Sequence, residues 1–404
     1  MLQALLIVFV IIQVVLVVYL LVPTLLLISY GLLRLFKIKT PYQRKKNITD
    51  KNFEFGIIIT AHQEKEFIAP LVDSLLKQTY QNFYLYIVAD DCDTSDLLYS
   101  QPNVNVLKPQ PALHSKIKSI QHAISNFTKK HDAIIIFDSD NLVHPLFMDT
   151  MNKHFQKGYR VVQANFKPKN LDTDYARMDA IGDMFNFFVE RESRMYLGLS
   201  SAIWGSGVAV DYDLYTRVSY NNFLGGFDKK LQAYLVKSVK QIAYSPDAIL
   251  YDEKISSGKS LENQRTRWIS SYFKYFKDNF DIFFTGLKRG NFNLMYFGFI
   301  TLRPPLFLVL LLSVLCTGAS FFINITFFYG WLIVWGLFFI TFVSIVLVKG
   351  KDPRFLFTIL KLPLFVGRQV LALTKIKKAK KSFIKTTHTQ LLYIDDLLND
   401  KKRM

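Results

Sequence analysis

Two long apolar ends enclose a middle region in which short apolar runs alternate with amphipathic stretches. From Leu2 to Phe36 the chain is almost unbroken Leu, Val and Ile. That is longer than a signal-peptide core, and no small-residue cleavage site precedes the charged stretch Arg34 to Lys46. The pattern predicts a retained transmembrane anchor over 1–36, kinked at Pro23. Within a C-terminal region, 294–348, Leu306–Phe328 and Trp331–Val348 are each long enough to cross a hydrocarbon core. The few residues between them can form only a tight turn, so the two read as a hairpin.

Between these ends, Phe55–Ala61 (FGIIITA), Phe83–Asp91 (FYLYIVADD) and Ala133–Asp140 (AIIIFDSD) read as buried strands, and Glu66–Thr79 reads as a helix between the first two. Strands separated by crossover helices predict one α/β domain over 50–268 with a parallel-rich sheet. Two of the strands end in acids. Ligands bind beyond the carboxyl ends of such strands, so both acid clusters should face one crevice. After this domain Ile269, Tyr272, Phe273, Phe276, Phe280, Phe283, Phe284 and Leu287 recur at three- and four-residue steps, predicting an amphipathic interfacial helix over 269–290. The last part, 352–404, reads as an interfacial segment and a basic tail. Within it Phe355–Leu373, broken by Lys361, Pro363 and Arg368, fits either a surface helix or a re-entrant piece.

Composition narrows the class. Half of the 404 residues are hydrophobic, the mean hydropathy is positive, and the apolar content is concentrated rather than spread, so the chain reads as a membrane protein. The formal charge of +18 gathers beside the apolar spans, at Arg34–Lys46, Lys288–Arg289, Lys349–Lys351 and Lys375–Lys385. The bias puts the middle region and tail in the cytoplasm and the N-terminus outside, as in a plasma or inner membrane protein. No nucleic-acid recognition motif accompanies the charge, so anionic lipid headgroups are the expected partner and nucleic acid is not. Cys92 and Cys316 have no spacing for a disulfide framework or a metal.

The candidate chemistry lies in four places. Asp90–Asp91 could simply open a turn or could read a ligand at a strand end. Asp138–Ser139–Asp140 places two carboxylates on the same side of an extended chain, where they repel unless a proton or a hard cation such as Mg2+ or Mn2+ intervenes. Asp228, in GGFDKKLQAYL, opens a helix with Leu231, Leu235 and Val239 on one face, a position suited to an N-cap as well as to proton transfer. Gln264-Arg265-Thr266-Arg267-Trp268 concentrates guanidinium forks, which match diphosphate oxygens, beside an indole, which stacks on sugar rings.

An acid at the second strand's end, a D-x-D, a later Asp and Q-x-x-R-W, in that order, resemble the membrane-bound family 2 glycosyltransferases, which include cellulose and hyaluronan synthases and ceramide glucosyltransferases. The resemblance implies a GT-A, Rossmann-like cytoplasmic domain with flanking transmembrane and interfacial helices. It implies that Asp91 or Asp90 contacts uracil, with Ala61 and Glu64 of TAHQEKE in the first nucleotide loop and Lys116 near the nucleotide. Asp138 would contact the nucleotide sugar and Asp140 the metal. Asp228 would be the catalytic base. Gln264, Arg267 and Trp268 would close over diphosphate and acceptor, and Gly205-Ser206-Gly207 would form an acceptor-side loop. Two residues depart from the pattern: Phe227 stands where an acid usually precedes the catalytic Asp, and Lys118 where glycine is common.

The implied reaction is inverting, metal-dependent transfer from a UDP-sugar to a hydroxyl, forming a β-glycosidic bond in polysaccharide synthesis on a growing glycan. A glycolipid synthase adding one sugar to a lipid is the alternative, and a catalytically silent nucleotide-binding subunit a second one. The resemblance leaves open a homo-oligomer or a synthase partner subunit.

Overall fold

The computed structural model describes residues 2–221, 223, 225–350, 352–374 and 389–403. The expected basic run Lys375–Lys385, and Lys351, lie outside these. Helix α1, Leu2–Leu35, runs continuously through Pro23. The chain then enters an eight-stranded sheet with spatial order β3-β2-β1-β4-β7-β6-β8-β5. Its strands are β1 Phe55–His62, β2 Phe83–Asp90, β3 Val104–Leu107, β4 Ala133–Asp138, β5 Leu142–Val143, β6 Val161–Pro168, β7 Val208–Asp211 and β8 Ala243–Asp252.

The half built from β3, β2, β1 and β4 is parallel, as the alternation of strands and helices demands. Ile57, Ile58, Ile59, Ile135 and Ile136 are fully buried because helices cover both faces of this half. Helix α2, Ile68–Leu76, contributes to the core on one face and α3, Lys116–Ser125, to that on the other. Beyond β4 the sheet turns mixed. β7 runs antiparallel to both β4 and β6, while β6 and β8 are parallel. That second half was not expected from the sequence, since β7 is only four residues long.

Helix α4, Phe147–Gln156, packs beneath β8. Helix α5, Asp174–Phe187, leads away from the sheet, and its Phe185 ring lies 5.3 Å from Phe342 and 5.9 Å from Phe338. Helix α6, Phe227–Ser238, buries Leu231 and Leu235 against the sheet.

The aromatic stripe forms two helices rather than one. Helix α7, Gly258–Lys274, carries the Gln-Arg-Thr-Arg-Trp cluster in its middle, capped by the Ser257 side chain on the Ser260 amide. It breaks at Tyr275, where α8, Phe276–Lys288, begins. Phe273, Phe280, Phe284 and Leu287 are exposed along these two helices. Helix α8 pairs closely with α9, Phe292–Leu302. A methyl group on Gly286 would lie 2.3 Å from the Met295 nitrogen, and one on Gly298 2.4 Å from the Phe283 nitrogen, so only glycine permits this approach.

Among the described residues three helices are long and apolar enough to cross a membrane: α1 over 6–35, α10 over Leu306–Ile323 and α11 over Ile325–Lys349. The turn between the last two is shorter than expected. Asn324 alone makes it, its side chain accepting the amides of Thr326 and Phe327, so that the next helix starts at once. Polar groups inside the three-helix contact are satisfied: Gln13 accepts from Ser320 and from the Trp331 indole, and Thr24 bonds Thr341. At the other end of these helices Glu192 accepts from Tyr30 and Lys349, tying spans to domain.

The undecided segment resolves into α12, Arg354–Ile359, and α13, Leu362–Thr374. Helix α13 lies along α7, with Arg368 paired to Glu262, so this segment covers the domain. A last helix, α14, Ile394–Arg403, docks Ile394 and Leu397 near β5.

Candidate active site

Register brings the acids together. His62 on β1 pairs with Asp90 on β2, and Thr60 on β1 pairs with Asp138 on β4, so the three strand ends open on one side. There a cavity of about 1890 Å³ is lined by Ala61, Glu64, Asp90, Lys116, Asp138, Asp140, Gly205, Ser206, Asp228, Gln264, Arg267 and Trp268. The cavity therefore gathers residues that lie far apart in sequence. Two expected members stand outside its wall. Asp91 is turned away to a smaller recess beside Cys92 and Lys108, and Gly207 lies just behind Ser206.

Of the adjacent acids, Asp90 holds the inner position. It is 1% exposed, accepts the amides of Leu113 at 2.6 Å and His114 at 2.8 Å, and bonds His62 Nδ1 at 3.1 Å. Gln63, Asp91 and His114 all have positive φ around it, a concentration of backbone strain typical of binding sites. His62, Asp90 and His114 offer ligand atoms within 4.8 Å of one another, the only such metal-capable group of three among the described residues. The sequence reading missed the two histidines, because their proximity depends on β1–β2 register and on the loop before α3.

The Asp-Ser-Asp stretch is not extended throughout. β4 stops at Asp138, and Ser139–Asp140 form a turn, so the carboxylates do not project side by side from a strand. Asp138 forms an ion pair with Lys116, whose ammonium also donates to the Gly205 carbonyl at 2.8 Å. Asp140 is buried, and its carbonyl accepts from the buried Lys169. The donor set available to a divalent cation here is hard oxygen, which suits Mg2+ or Mn2+. Two carboxylates are fewer than a full coordination shell. That fits sites where substrate phosphates supply the remaining oxygens.

Asp228 does not cap its helix. Gly226, at φ 70°, occupies the N-cap, and Asp228 sits in the first turn with Lys229 at 3.5 Å. The carboxylate is thereby left to the cavity at the positively polarised end of α6. The neighbouring Phe227 is buried, its ring 5.0 Å from the Lys116 ammonium, so the residue that departs from the acidic pattern packs under the lysine. The loop Gly205-Ser206-Gly207 runs beside it. Gly207 has φ 60° and donates to Ile136 at 2.8 Å, and Ser206 bonds the Asp138 amide at 3.2 Å.

On α7, Arg267 is pushed below its usual range by burial, opposed by the Asp138 carboxylate it faces. Trp268 is 43% exposed, within 6.1 Å of Trp204, and covered on one side by the Arg265 guanidinium at 4.1 Å. Gln264 Oε1 is buried without a hydrogen bond. Arg265 turns to the protein and pairs with Asp179 of α5 at 2.6 Å. Beside it Lys254 binds Asp183 at 2.5 Å and Asp252 at 2.9 Å. Burial disfavours the charge on Lys254, but Asp183, Asp252 and Asp179 outweigh it and hold the ammonium well above its usual range. This buried network had no sequence signal, since its members come from α5, the end of β8 and α7.

Taken chemically, the cavity offers a carboxylate for a proton, oxygen ligands for a cation, cations for a leaving anion and an indole for a ring. A sequence profile described as glycosyltransferase-like family 2 matches residues 52–271. Among solved structures, the mannosyltransferase PcManGT from Pyrobaculum calidifontis, in complex with GDP-Man and Mn2+, shares the fold. It has a TM-score of 0.56 at 12% identity over 92% of this chain and 100% of its own. The 1–349 fragment of S. aureus TarS aligns with a TM-score of 0.39 at 14% identity, over 56% of this chain and 65% of its own. No curated protein matches the chain in sequence.

Proposed function

Since the chain belongs to glycosyltransferase family 2, with a GT-A fold and three helices able to span a membrane, we propose that it transfers a sugar from a nucleotide diphosphate to a hydroxyl acceptor, with inversion. The observation that carries this reading is the single cavity shared by Asp90, Asp138, Asp228 and Arg267. The basic flanks of the spans support a cytoplasmic domain and an outer N-terminus.

In this reading the donor lies across the strand ends. Its base faces Asp90, Ala61 and Glu64, and its diphosphate lies between Lys116 and Arg267. Asp140 and Asp138 would hold a divalent cation, which when bound supplies positive charge against the departing diphosphate. Mn2+ in the Pyrobaculum mannosyltransferase supports this, and its GDP-Man makes the guanine nucleotide a donor to test beside the uracil nucleotide of the resemblance. The Asp228 carboxylate accepts the proton of the acceptor hydroxyl as its oxygen attacks the anomeric carbon from the face opposite the nucleotide. Gln264 and Trp268 then face the acceptor.

The cavity's far wall favours a lipid acceptor over a polymer handed across the membrane. Leu306, Phe307 and Leu310 of α10 and Trp335, Phe338 and Phe342 of α11 line it, so an acyl or prenyl chain can enter from the bilayer. Labelled sugar transfer by membranes containing the full chain, from UDP- and GDP-sugars with Mg2+ or Mn2+, tests the reading. Metal-dependent label in lipid extract is expected, and Asp228→Asn should abolish it while nucleotide binding persists. Equal loss of binding and transfer would refute the role of Asp228.

A further inference from the structure

Between the catalytic carboxylates and the spans the cavity passes a cluster of arginines that the proposed reaction leaves without a task. Arg194 is 1% exposed and lines the cavity, and its Nε and Nη1 make no hydrogen bond. Arg303, the C-cap of α9, also lines it and binds Glu190 at 3.0 Å. Arg191 is fully buried next to them, sandwiched by Phe187 and Trp204, with its nearest acid, Glu190, at 4.0 Å. Burial would raise the Glu190 carboxyl, but Arg303, Arg191, Arg194 and Lys229 outweigh it and hold it below its usual range. Three guanidiniums, two of them fully buried, thus gather round the Glu190 carboxylate, with Asp183 a further acid acting on Arg191, and this excess of positive charge is expensive in a low-dielectric interior unless an anion joins it. The π-helical turn Phe188–Glu192 that presents Glu190 and Arg191 is a form of backbone frequent at functional sites.

The apolar wall and Asp228 flank this cluster. The apolar wall begins at Leu306, three residues after Arg303. Arg303 bonds Glu190, whose carbonyl accepts from Ala202 at 3.0 Å, and from Ala202 the chain runs to Gly205. A methyl group built on Gly205 would lie 3.9 Å from the Asp228 Cβ. Successive contacts therefore link the apolar wall, Arg303 and Asp228. The cations beside the donor acid, Lys116 and Arg267, form a separate group facing Asp138. At about 1890 Å³ the cavity also exceeds the roughly 300–1,000 Å³ usual for one small ligand.

We infer that the acceptor is an anionic lipid: its hydrocarbon lies against α10 and α11, a phosphate of its head sits on Arg194 and Arg303, and a hydroxyl beyond that phosphate meets Asp228. The hydroxyl oxygen forms the new bond to the anomeric carbon. The carbon–oxygen bond to the nucleotide diphosphate breaks with its electron pair, and the hydroxyl proton passes to Asp228. The inference rests on the transferase reading above. It adds the phosphate, which a neutral glycolipid acceptor lacks.

The test uses the full chain in vesicles, with the donor and metal that give turnover. The acceptors are phosphatidylglycerol, diacylglycerol, and N-acetylglucosamine joined through diphosphate to a polyprenol. Transfer to at least one phosphate-bearing lipid should exceed transfer to diacylglycerol tenfold or more, and the comparison of the two says whether a glycerolipid or a prenyl diphosphate supplies the phosphate. Arg194→Gln should raise the acceptor KM about tenfold with a smaller effect on kcat, and Arg194→Lys should recover most of it. Nucleotide binding by the same preparations confirms that each variant is folded. Diacylglycerol accepted as well as the phosphate lipids, or Arg194→Gln weakening both alike, would overturn the inference and leave the transferase standing. No metal-dependent turnover with any donor would overturn both.

Discussion

Arg265 Nη2 donates to Asp179 Oδ1 at 2.6 Å, and this buried pair fastens the helix bearing Arg267 and Trp268 to the helix that reaches the spans. Both side chains are nearly inaccessible, so removal of one leaves the other charged and unmatched. Arg265→Met or Asp179→Leu should each destabilise the fold by about 3–5 kcal/mol, and the double variant by less than the sum. Thermal unfolding of the four proteins in detergent gives the coupling directly. Additive losses would mean that the pair does not act as a unit.

Chelation and the acid of the turn after β4 should act alike. Removing divalent cations should suppress transfer at least a hundredfold. Asp140→Asn should raise the metal concentration needed for half-maximal rate, with a smaller effect on acceptor KM. A metal titration of wild type and variant is the check; an unchanged midpoint would move the cation elsewhere, with His62, Asp90 and His114 the next place to look.

Stability should fall in mild acid through His154. Burial pushes this imidazole down to about 4, and its Nδ1 is 2.9 Å from the Thr150 carbonyl, which fits a neutral ring donating there. The unfolded chain takes up the proton near pH 6.5 while the folded chain resists until about 4. Stability is therefore complete above the unfolded value and lost as pH falls through this window, by up to about 3 kcal/mol. His154→Phe should flatten that part of the profile in unfolding measured from pH 7 to 4. An identical slope in the variant would assign it to other groups.

The α8–α9 pair should be intolerant of a single methyl. Gly286→Ala and Gly298→Ala each push a Cβ into backbone, where no rotamer change relieves the overlap. Losses of about 1–3 kcal/mol are expected for each. Wild-type melting temperatures in both would show that the helices separate freely.

The parallel half of the sheet was legible because uninterrupted apolar runs ending in Asp mark buried strands, and β1, β2 and β4 stop within two residues of where those runs do. Turns and caps were harder to read. The turn between the apolar spans was expected between Phe328 and Trp331 but falls at Asn324, which caps the following helix, and Asp228 looked like a cap although Gly226, at positive φ, takes that place. The aromatic stripe concealed the break at Tyr275 because its spacing suits one helix or two. Arg194 and Arg303 could not be joined in advance: more than a hundred residues, including Asp228 and the Gln264–Trp268 cluster, separate them in the sequence, and only the route of the cavity relates them.

The same helix carries Asp179 and Asp183 on the cavity wall and rests its Phe185 on Phe338 and Phe342 of a span. Anchor and catalyst are consequently not separable modules. A soluble fragment cut free of its hydrophobic ends would keep the strand ends bearing Asp90 and Asp138 and lose one side of the vessel. Hydrolysis of a donor by such a fragment would say little about what the whole protein makes.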